Sequence, residues 1–321
     1  VNETARIALI ARILAATRSG TDGVELGIGD DAAVLRSPGG AASRMVWTID
    51  EQVEGVHFRR DLATWRDVGW RSFQAAASDV AAMGGKPWCA LCALVLPDSV
   101  DDVALEEITC GQRDAALAVG APIVGGNLSR GAGFSIATSL LGTCEGAVTR
   151  AGAKPGDGLW MAGRVGLAAC GLRALRALAA SAPGGVIDEE VEPAVEAWRR
   201  PTALVREGLA MAEVAHAAVD VSDGLVRDVA HMAEASSVAI ALDASELLSD
   251  AALMRAAARV AVDPLDLALY GGEDYALVAA SPLPIVGFRR IGIIREGAGL
   301  VLRTAAGDTP LLVRGFDHFA R

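Results

Sequence analysis

Five short acidic motifs are spread along this chain, each where an apolar run gives way to a loop. They are Gly29-Asp30-Asp31, Thr48-Ile49-Asp50, Ser78-Asp79, Asp220-Val221-Ser222-Asp223-Gly224 and Gly272-Glu273-Asp274. Acidic residues at the ends of alternating helices and strands predict two α/β units meeting across a cleft. Carboxylates gathered in one place repel each other unless positive charge lies between them. The usual remedy is a hard cation with oxygen ligands, above all Mg²⁺, which brings phosphates with it. The pattern therefore points to metal-assisted phosphate chemistry.

At 321 residues the chain is long enough for a large core and two domains. With 52% hydrophobic residues it reads as globular, and with only 4% aromatics Ala, Val, Leu and Gly must fill the interior. A formal charge of −11 argues against nucleic acid, whose binders need basic patches. It also means that anionic phosphates must be met by metal ions or local arginines. The longest apolar stretch, Trp88–Leu96, is too short to cross a bilayer. The N-terminal residues lack a signal-peptide pattern, so a cytoplasmic protein without membrane attachment is expected. Cys89 and Cys92 have redox-motif spacing, but residues three apart on a strand face opposite sides. Buried thiols in a reducing compartment are the expectation for all five cysteines.

Periodicity predicts helices over 4–18, 64–83, 103–119, 166–180, 193–215 and 225–235, and strands over 45–49, 88–96, 122–124, 134–143, 158–161, 219–221, 238–242, 275–279 and 291–294. Between the halves, Thr149-Arg150-Ala-Gly-Ala-Lys154-Pro155-Gly156-Asp157 has the turn residues of a linker. The division expected is 1–148 and 149–321.

The motifs differ in weight. Gly27-Ile-Gly29-Asp-Asp-Ala32 fits a relaxed dinucleotide fingerprint, but two carboxylates would face the pyrophosphate, so Asp30 and Asp31 read better as metal ligands. Asp79 lies in an Ala-rich helix with no Lys or Arg three or four residues away. It needs a partner if buried, although a helix-surface position remains open. Ser222 or Asp223 could be an ordinary helix N-cap. The glycine pairs before Asn127 and Glu273 permit close backbone approach to a ligand, or simple turns. His57 is the histidine in a motif-like setting, whereas His216, His231 and His318 read as structural. No P-loop, protein-kinase, nucleophile-elbow or H-E-x-x-H signature is present.

Several segments together resemble thiamine-monophosphate kinase, of the aminoimidazole ribonucleotide synthetase-like superfamily. They are Glu25–Ala33, Val53–Phe58, Ser78–Gly84, Thr149–Asp157, Asp220–Leu225, Gly271–Tyr275 and Gly315–Phe319. The resemblance implies an α/β (α+β type) two-domain fold, with an N-terminal mixed sheet that packs in a homodimer and binds ATP and Mg²⁺. A C-terminal α/β domain follows. The implied reaction moves the γ-phosphoryl group of ATP to thiamine monophosphate in-line, with Mg²⁺ and, as a further candidate, a monovalent cation. By matching motifs, Asp31, Thr48, Asp50, Asp79, Asn127, Asp220 and Asp223 would hold magnesium. Gly126, Asn127, Arg150 and Ser222 would surround the nucleotide, and His57, Glu273 and Phe316 would contact the thiamine phosphate. Asp79, Asp223 and Arg150 are the implied catalytic residues. Two positions depart from the pattern: Asn127 stands where the kinase usually has Asp, and Ile49 where it has Thr or Ser. Asparagine still offers a carbonyl oxygen but no charge. A superfamily member using ATP on another small phosphate or amide is the alternative, as is a non-catalytic nucleotide-binding paralogue.

Overall fold

The computed structural model describes residues 5, 7, 23–37, 43–181 and 185–316. The helix expected over 4–18 lies almost wholly outside them, as do His318 and the end of the Gly315–Phe319 segment. The first half runs β1 (Val24–Leu26), β2 (Ala33–Arg36), β3 (Arg44–Val53), α1 (Trp65–Ala82), β4 (Lys86–Leu96), α2 (Asp102–Val119), β5 (Ile123–Arg130) and β6 (Ser135–Cys144). Its six strands form one sheet in the order β1-β2-β3-β6-β4-β5. Neighbours are antiparallel except β4 and β5, which the α2 crossover makes parallel.

The second half runs β7 (Gly158–Ala162), α3 (Leu167–Ser181), α4 (Glu192–Arg199), α5 (Val205–Met211), β8 (Ala217–Val221), α6 (Leu225–Ser236), β9 (Ala239–Asp243), α7 (Ala244–Leu247), α8 (Ala251–Arg259), α9 (Pro264–Tyr270), β10 (Ala276–Ser281), β11 (Arg289–Arg295), β12 (Gly299–Thr304) and β13 (Gly307–Pro310). These strands form a second sheet, ordered β13-β12-β9-β11-β7-β10-β8. The molecule is thus a two-domain α/β fold with mixed sheets.

Local chemistry accounts for the long elements of the first half. Thr64 and Asp67 form a reciprocal capping box at the start of α1, and an Ala-rich run carries the helix to Gly84 and Gly85. Asp101 caps α2, which ends at Gly120 in the left-handed conformation. Along β3, Val46, Thr48 and Gln52 face the helices, whereas Trp47 and Ile49 point outward, as the period of two requires. On β4 Cys92 is buried with Ala90 and Leu94, and Cys89 faces the other way. All five cysteines are free thiols.

Two sequence expectations need correction. The single helix over 193–215 is two helices, α4 and α5, because the stretch around Pro201 leaves the helical path. The strand over 122–124 continues to Arg130, so Gly125, Gly126 and Asn127 belong to β5, not to a loop after it.

Helix α1 joins the halves. Asp67, Arg71, Gln74 and Ser78 are spaced i, i+4, i+7, i+11 and so share one face. Every one of them bonds to the second half. Arg200 Nε donates to Asp67 Oδ1 at 2.8 Å. Arg71 reaches the Trp198 carbonyl and Glu273. The Ala203 N–H donates to Gln74 Oε1 at 2.8 Å, and Ser78 Oγ donates to Asp220 Oδ2 at 2.7 Å.

The opposite side of α1 crosses α2 at closest range through two glycines. A Cβ on Gly69 would lie 2.0 Å from the Ile108 carbonyl oxygen, and one on Gly111 would lie 2.0 Å from that of Arg66. Neither contact can relax through a flexible side chain. Gly69→Ala is therefore expected to destabilise the protein by about 1–3 kcal/mol through forced separation of the helices. Chemical denaturation measures this, and an unchanged midpoint would show that the crossing tolerates a methyl group.

Candidate active site

Four carboxylates meet where α1 joins the two halves, three of them from β3, α1 and β8 and one from the loop that leads into β2. Asp50 projects inward from β3, two residues after Thr48. Thr48 Oγ1 donates to Asp79 Oδ2 at 2.6 Å, so the partner that Asp79 needs on α1 is a hydroxyl from the sheet, not a cation. Asp220, 3% exposed at the end of β8, accepts from Ser78. Asp31 follows the β1–β2 turn, with its side chain only 2% exposed.

The proximity of these groups is visible in their titration. Burial, then Asp220, Asp50 and Asp31, holds the Asp79 carboxyl well above its usual range, and the Thr48 hydroxyl only partly offsets this. Burial pushes Asp50 up to about 6, with Asp220 and Glu273 adding to the effect. Burial likewise raises Asp31 to about 7 against the pull of Arg150, with Asp220 and Asp30 contributing. Asp220 is also raised by burial, opposed by Ser78 and Arg150.

Arg150 is the local cation. Its guanidinium bonds Asp31 Oδ1, and its backbone N–H donates to Asp30 Oδ2 at 3.1 Å. Asp31 Oδ2 is buried with no hydrogen-bond partner. An orphaned carboxylate oxygen within an all-oxygen donor set fits a hard cation. Among the described residues, no three Asp, Glu, His or Cys side chains come close enough to enclose a metal ion by themselves. Mg²⁺ does not require that, since it usually takes one or two carboxylates and completes its octahedron with water and phosphate oxygens.

Two loops beside the cluster are held by acids: Asp228, which sequence reasoning missed, and Asp274, which it grouped with the other acidic motifs. Ser222, Asp223 and Gly224 all donate their backbone N–H groups to Asp228 Oδ2, at 3.0, 3.1 and 3.2 Å. Neither Ser222 nor Asp223 caps α6; its N-cap is Gly224, with no side-chain cap bond. Asp228 in the first helical turn was the available signal. Asp274 turns away from the cluster and accepts from the N–H groups of Gly166 and Ala168, tying the Gly271–Tyr275 loop to the start of α3. That loop is taut: Glu273 and Tyr275 have φ of +63° and +49°. It crosses the other loop through bonds from the N–H of Glu273 to Ser222 O and of Tyr275 to Val221 O.

A cavity of about 660 Å³ opens next to the carboxylates. Asp50, Ser222, Asp223 and Glu273 lie on its wall with His57, Phe58, Trp198, Tyr270 and Phe316. The Val53 N–H donates to His57 Nδ1 at 3.0 Å, which leaves the neutral ring its proton on Nε2. The structure thus gathers Asp31, Thr48, Asp50, Asp79, Asp220 and Arg150 in one cluster. It gathers His57, Ser222, Asp223, Glu273 and Phe316 around the cavity.

Gly126 and Asn127 do not line that cavity. They sit on β5, the edge strand, in register with Cys92 and Ala93. A Cβ at Gly126 would meet the Cys92 carbonyl oxygen at 1.7 Å, so this glycine is demanded by close strand approach. The dinucleotide fingerprint also lapses, because Ala32 leads into strand β2 and no helix N-terminus faces a pyrophosphate there.

Comparison with known proteins agrees with this architecture. The family described as AIR synthase related protein, N-terminal domain, matches residues 29–148. Thiamine-monophosphate kinase of Aquifex aeolicus (strain VF5) is 32% identical over 91% of this chain and 92% of its own length. That of Escherichia coli (strain K12) is 33% identical over 97% of both. The solved structure of AaThiL complexed with AMPPCP and TMP superposes with a TM-score of 0.87 at 30% identity, covering 99% of this chain and 97% of that one. The hydrogenase maturation protein HypE in complex with ATP, at 19% identity and a TM-score of 0.67, shares the fold alone. The likeness to the kinases extends over nearly the whole length of both partners, and the chain belongs to the thiamine-monophosphate kinase family.

Proposed function

We propose that the cleft carries out the reaction of that family, the ATP-dependent phosphorylation of thiamine monophosphate to thiamine diphosphate, by direct in-line transfer. The observation that carries the reading is the convergence of Asp31, Asp50, Asp79 and Asp220 beside a cavity large enough for a substrate. These residues, with Asp223 and Thr48, would hold Mg²⁺, which when bound neutralises phosphate charge and aligns donor with acceptor; Asn127, on the edge strand outside the cavity, joins the set by the resemblance alone. A monovalent cation is a further candidate there. Gly126, Asn127, Arg150 and Ser222 are assigned to the nucleotide, and His57, Glu273 and Phe316 to thiamine monophosphate.

The acceptor is a phosphate oxygen already anionic at neutral pH, so a general base has little to do. Repulsion between two anionic substrates is the obstacle. Arg150 supplies fixed positive charge beside Asp31, and Asp79 and Asp223 complete the catalytic set. Asp228 keeps the Ser222–Gly224 backbone in one conformation before substrates arrive, which lowers the cost of ordering it during reaction. His57 lies on the cavity wall beside the proposed phosphate position, and the ring of Phe316 supplies an apolar wall.

The division we assign is an ATP- and Mg²⁺-binding, dimerising unit over 1–148 and a second unit over 149–321. The outer face of the first sheet supports a homodimer. Trp47, Ile49, Trp88, Leu91, Val124 and Leu128 are all about half exposed or more on strands β3, β4 and β5. Free thiols throughout fit a reducing cytoplasm. Among the described residues, no helix is long and apolar enough to cross a membrane.

Ile49→Lys on that face is expected to give monomers in sedimentation equilibrium; an unchanged dimer, or a wild-type monomer, would remove this face from the account. For the activity, ATP, thiamine monophosphate and Mg²⁺ should yield thiamine diphosphate by chromatography. Asp79→Asn should lower kcat by about two orders of magnitude or more. Turnover at the wild-type rate in that variant would sink the assignment of Asp79.

A further inference from the structure

Glu273 reaches the cavity wall with each carboxylate oxygen already engaged by a different donor. Arg71 Nη2 donates to Oε1 at 2.7 Å, and the indole Nε1–H of Trp198 donates to Oε2 at 2.6 Å. The two donors also hold one another. The Arg71 guanidinium lies over the Trp198 ring at 4.7 Å, and its Nη1 donates to the Trp198 backbone carbonyl. Donors on both oxygens fix the plane of the carboxylate, while each oxygen keeps a lone pair for a ligand.

The arrangement is expensive. Arg71 is 1% exposed, and its Nε has no hydrogen-bond partner. A buried, incompletely satisfied cation is commonly no better for stability than an apolar side chain of similar size. Glu273 also holds a left-handed backbone conformation that a longer-range partner must maintain. Stability alone does not account for the set.

We infer that Arg71 and Trp198 are positioning residues that orient Glu273 for substrate recognition and so help determine specificity for thiamine monophosphate. The inference rests on the reading of Glu273 as a substrate contact. An oriented carboxylate in a cavity also lined by Tyr270 and Phe316 suits the cationic, hydrogen-bond-donating heterocycles of that substrate. Arg71 comes from α1 of the first half, Trp198 and Glu273 from the second, so the recognition element forms only when the halves are docked.

The test is a double-mutant cycle built on Trp198→Phe, which keeps the ring under Arg71 and removes only the N–H, and Glu273→Gln. Trp198→Phe is expected to raise KM for thiamine monophosphate about tenfold, the loss of one hydrogen bond to a charged group, with KM for ATP unmoved. In the Glu273→Gln background the same change should add almost nothing. An equal rise in both backgrounds, no rise at all, or a matching rise in KM for ATP would overturn the positioning role while leaving Glu273 as a substrate contact. If Glu273→Gln itself leaves KM for thiamine monophosphate unchanged, the substrate reading of Glu273 falls, and the inference with it. Should Trp198→Phe fail to fold, Arg71→Lys enters the same cycle with the same expectations.

Discussion

The bonds from Arg71 to Glu273 and from Ser78 to Asp220 are made by one buried face of α1, a helix that otherwise belongs to the core of the first sheet. Asp67 and Gln74 extend that face by further bonds to the Arg200–Ala203 turn. An apolar face would have bound the halves without fixing their register. Directional bonds at four points of one helix allow little sliding, and a buried polar group that loses its partner costs about 1–3 kcal/mol. Two of the four points hold Glu273 and Asp220, the acids of the second half assigned above to the proposed site, so docking and assembly of that site are one event. Asp79 lies one residue past Ser78 and meets Thr48 from the sheet beneath.

The same closeness makes the cleft electrostatically unfavourable by itself. Asp31, Asp50, Asp79 and Asp220 all have their acidity lowered by burial, and Arg150 compensates mainly Asp31. The structure spends stability here that could have been kept with neutral side chains. The gain is an array of oxygen donors that need not rearrange when phosphates and their counter-ions arrive, which is where pre-organisation lowers a phosphoryl-transfer barrier.

Much of this could be read from the sequence, for identifiable reasons. The Ala-rich surroundings of Asp79 marked it as needing a partner, and the resemblance to the kinase picked out Thr48 and Asp50 before the structure set them on one face of β3. The convergence of the acidic motifs and the mixed α/β organisation followed from their positions at element ends. Other features depend on contacts between distant segments. Arg150 finds Asp31 across 119 residues, and Arg71 finds Glu273 across 202. The polar stripe on α1 is present in the spacing of Asp67, Arg71, Gln74 and Ser78 but drew no reading, because nothing local names its partners. Asp274 belongs to one of the acidic motifs, yet it binds backbone N–H groups, as does Asp228, which no motif singled out. Asn127 read as a loop residue because Gly-Gly usually ends a strand; pairing with β4 carries the strand through.

The claim that this cleft is an acidic array awaiting positive charge is tested most directly by thermal unfolding with and without Mg²⁺ across pH. Burial pushes Asp31 up to about 7 and Asp50 up to about 6 in the folded state, against about 3.9 for an unfolded Asp. The native state therefore binds more protons than the unfolded chain between those values, and its stability must fall as pH rises through them. In EDTA, Tm should drop from pH 5 to pH 8. Mg²⁺ should restore it, with a larger increment at pH 8, where protons no longer neutralise the cluster. A Tm that does not fall over this range in EDTA, or an Mg²⁺ increment equal at both pH values, would contradict the account.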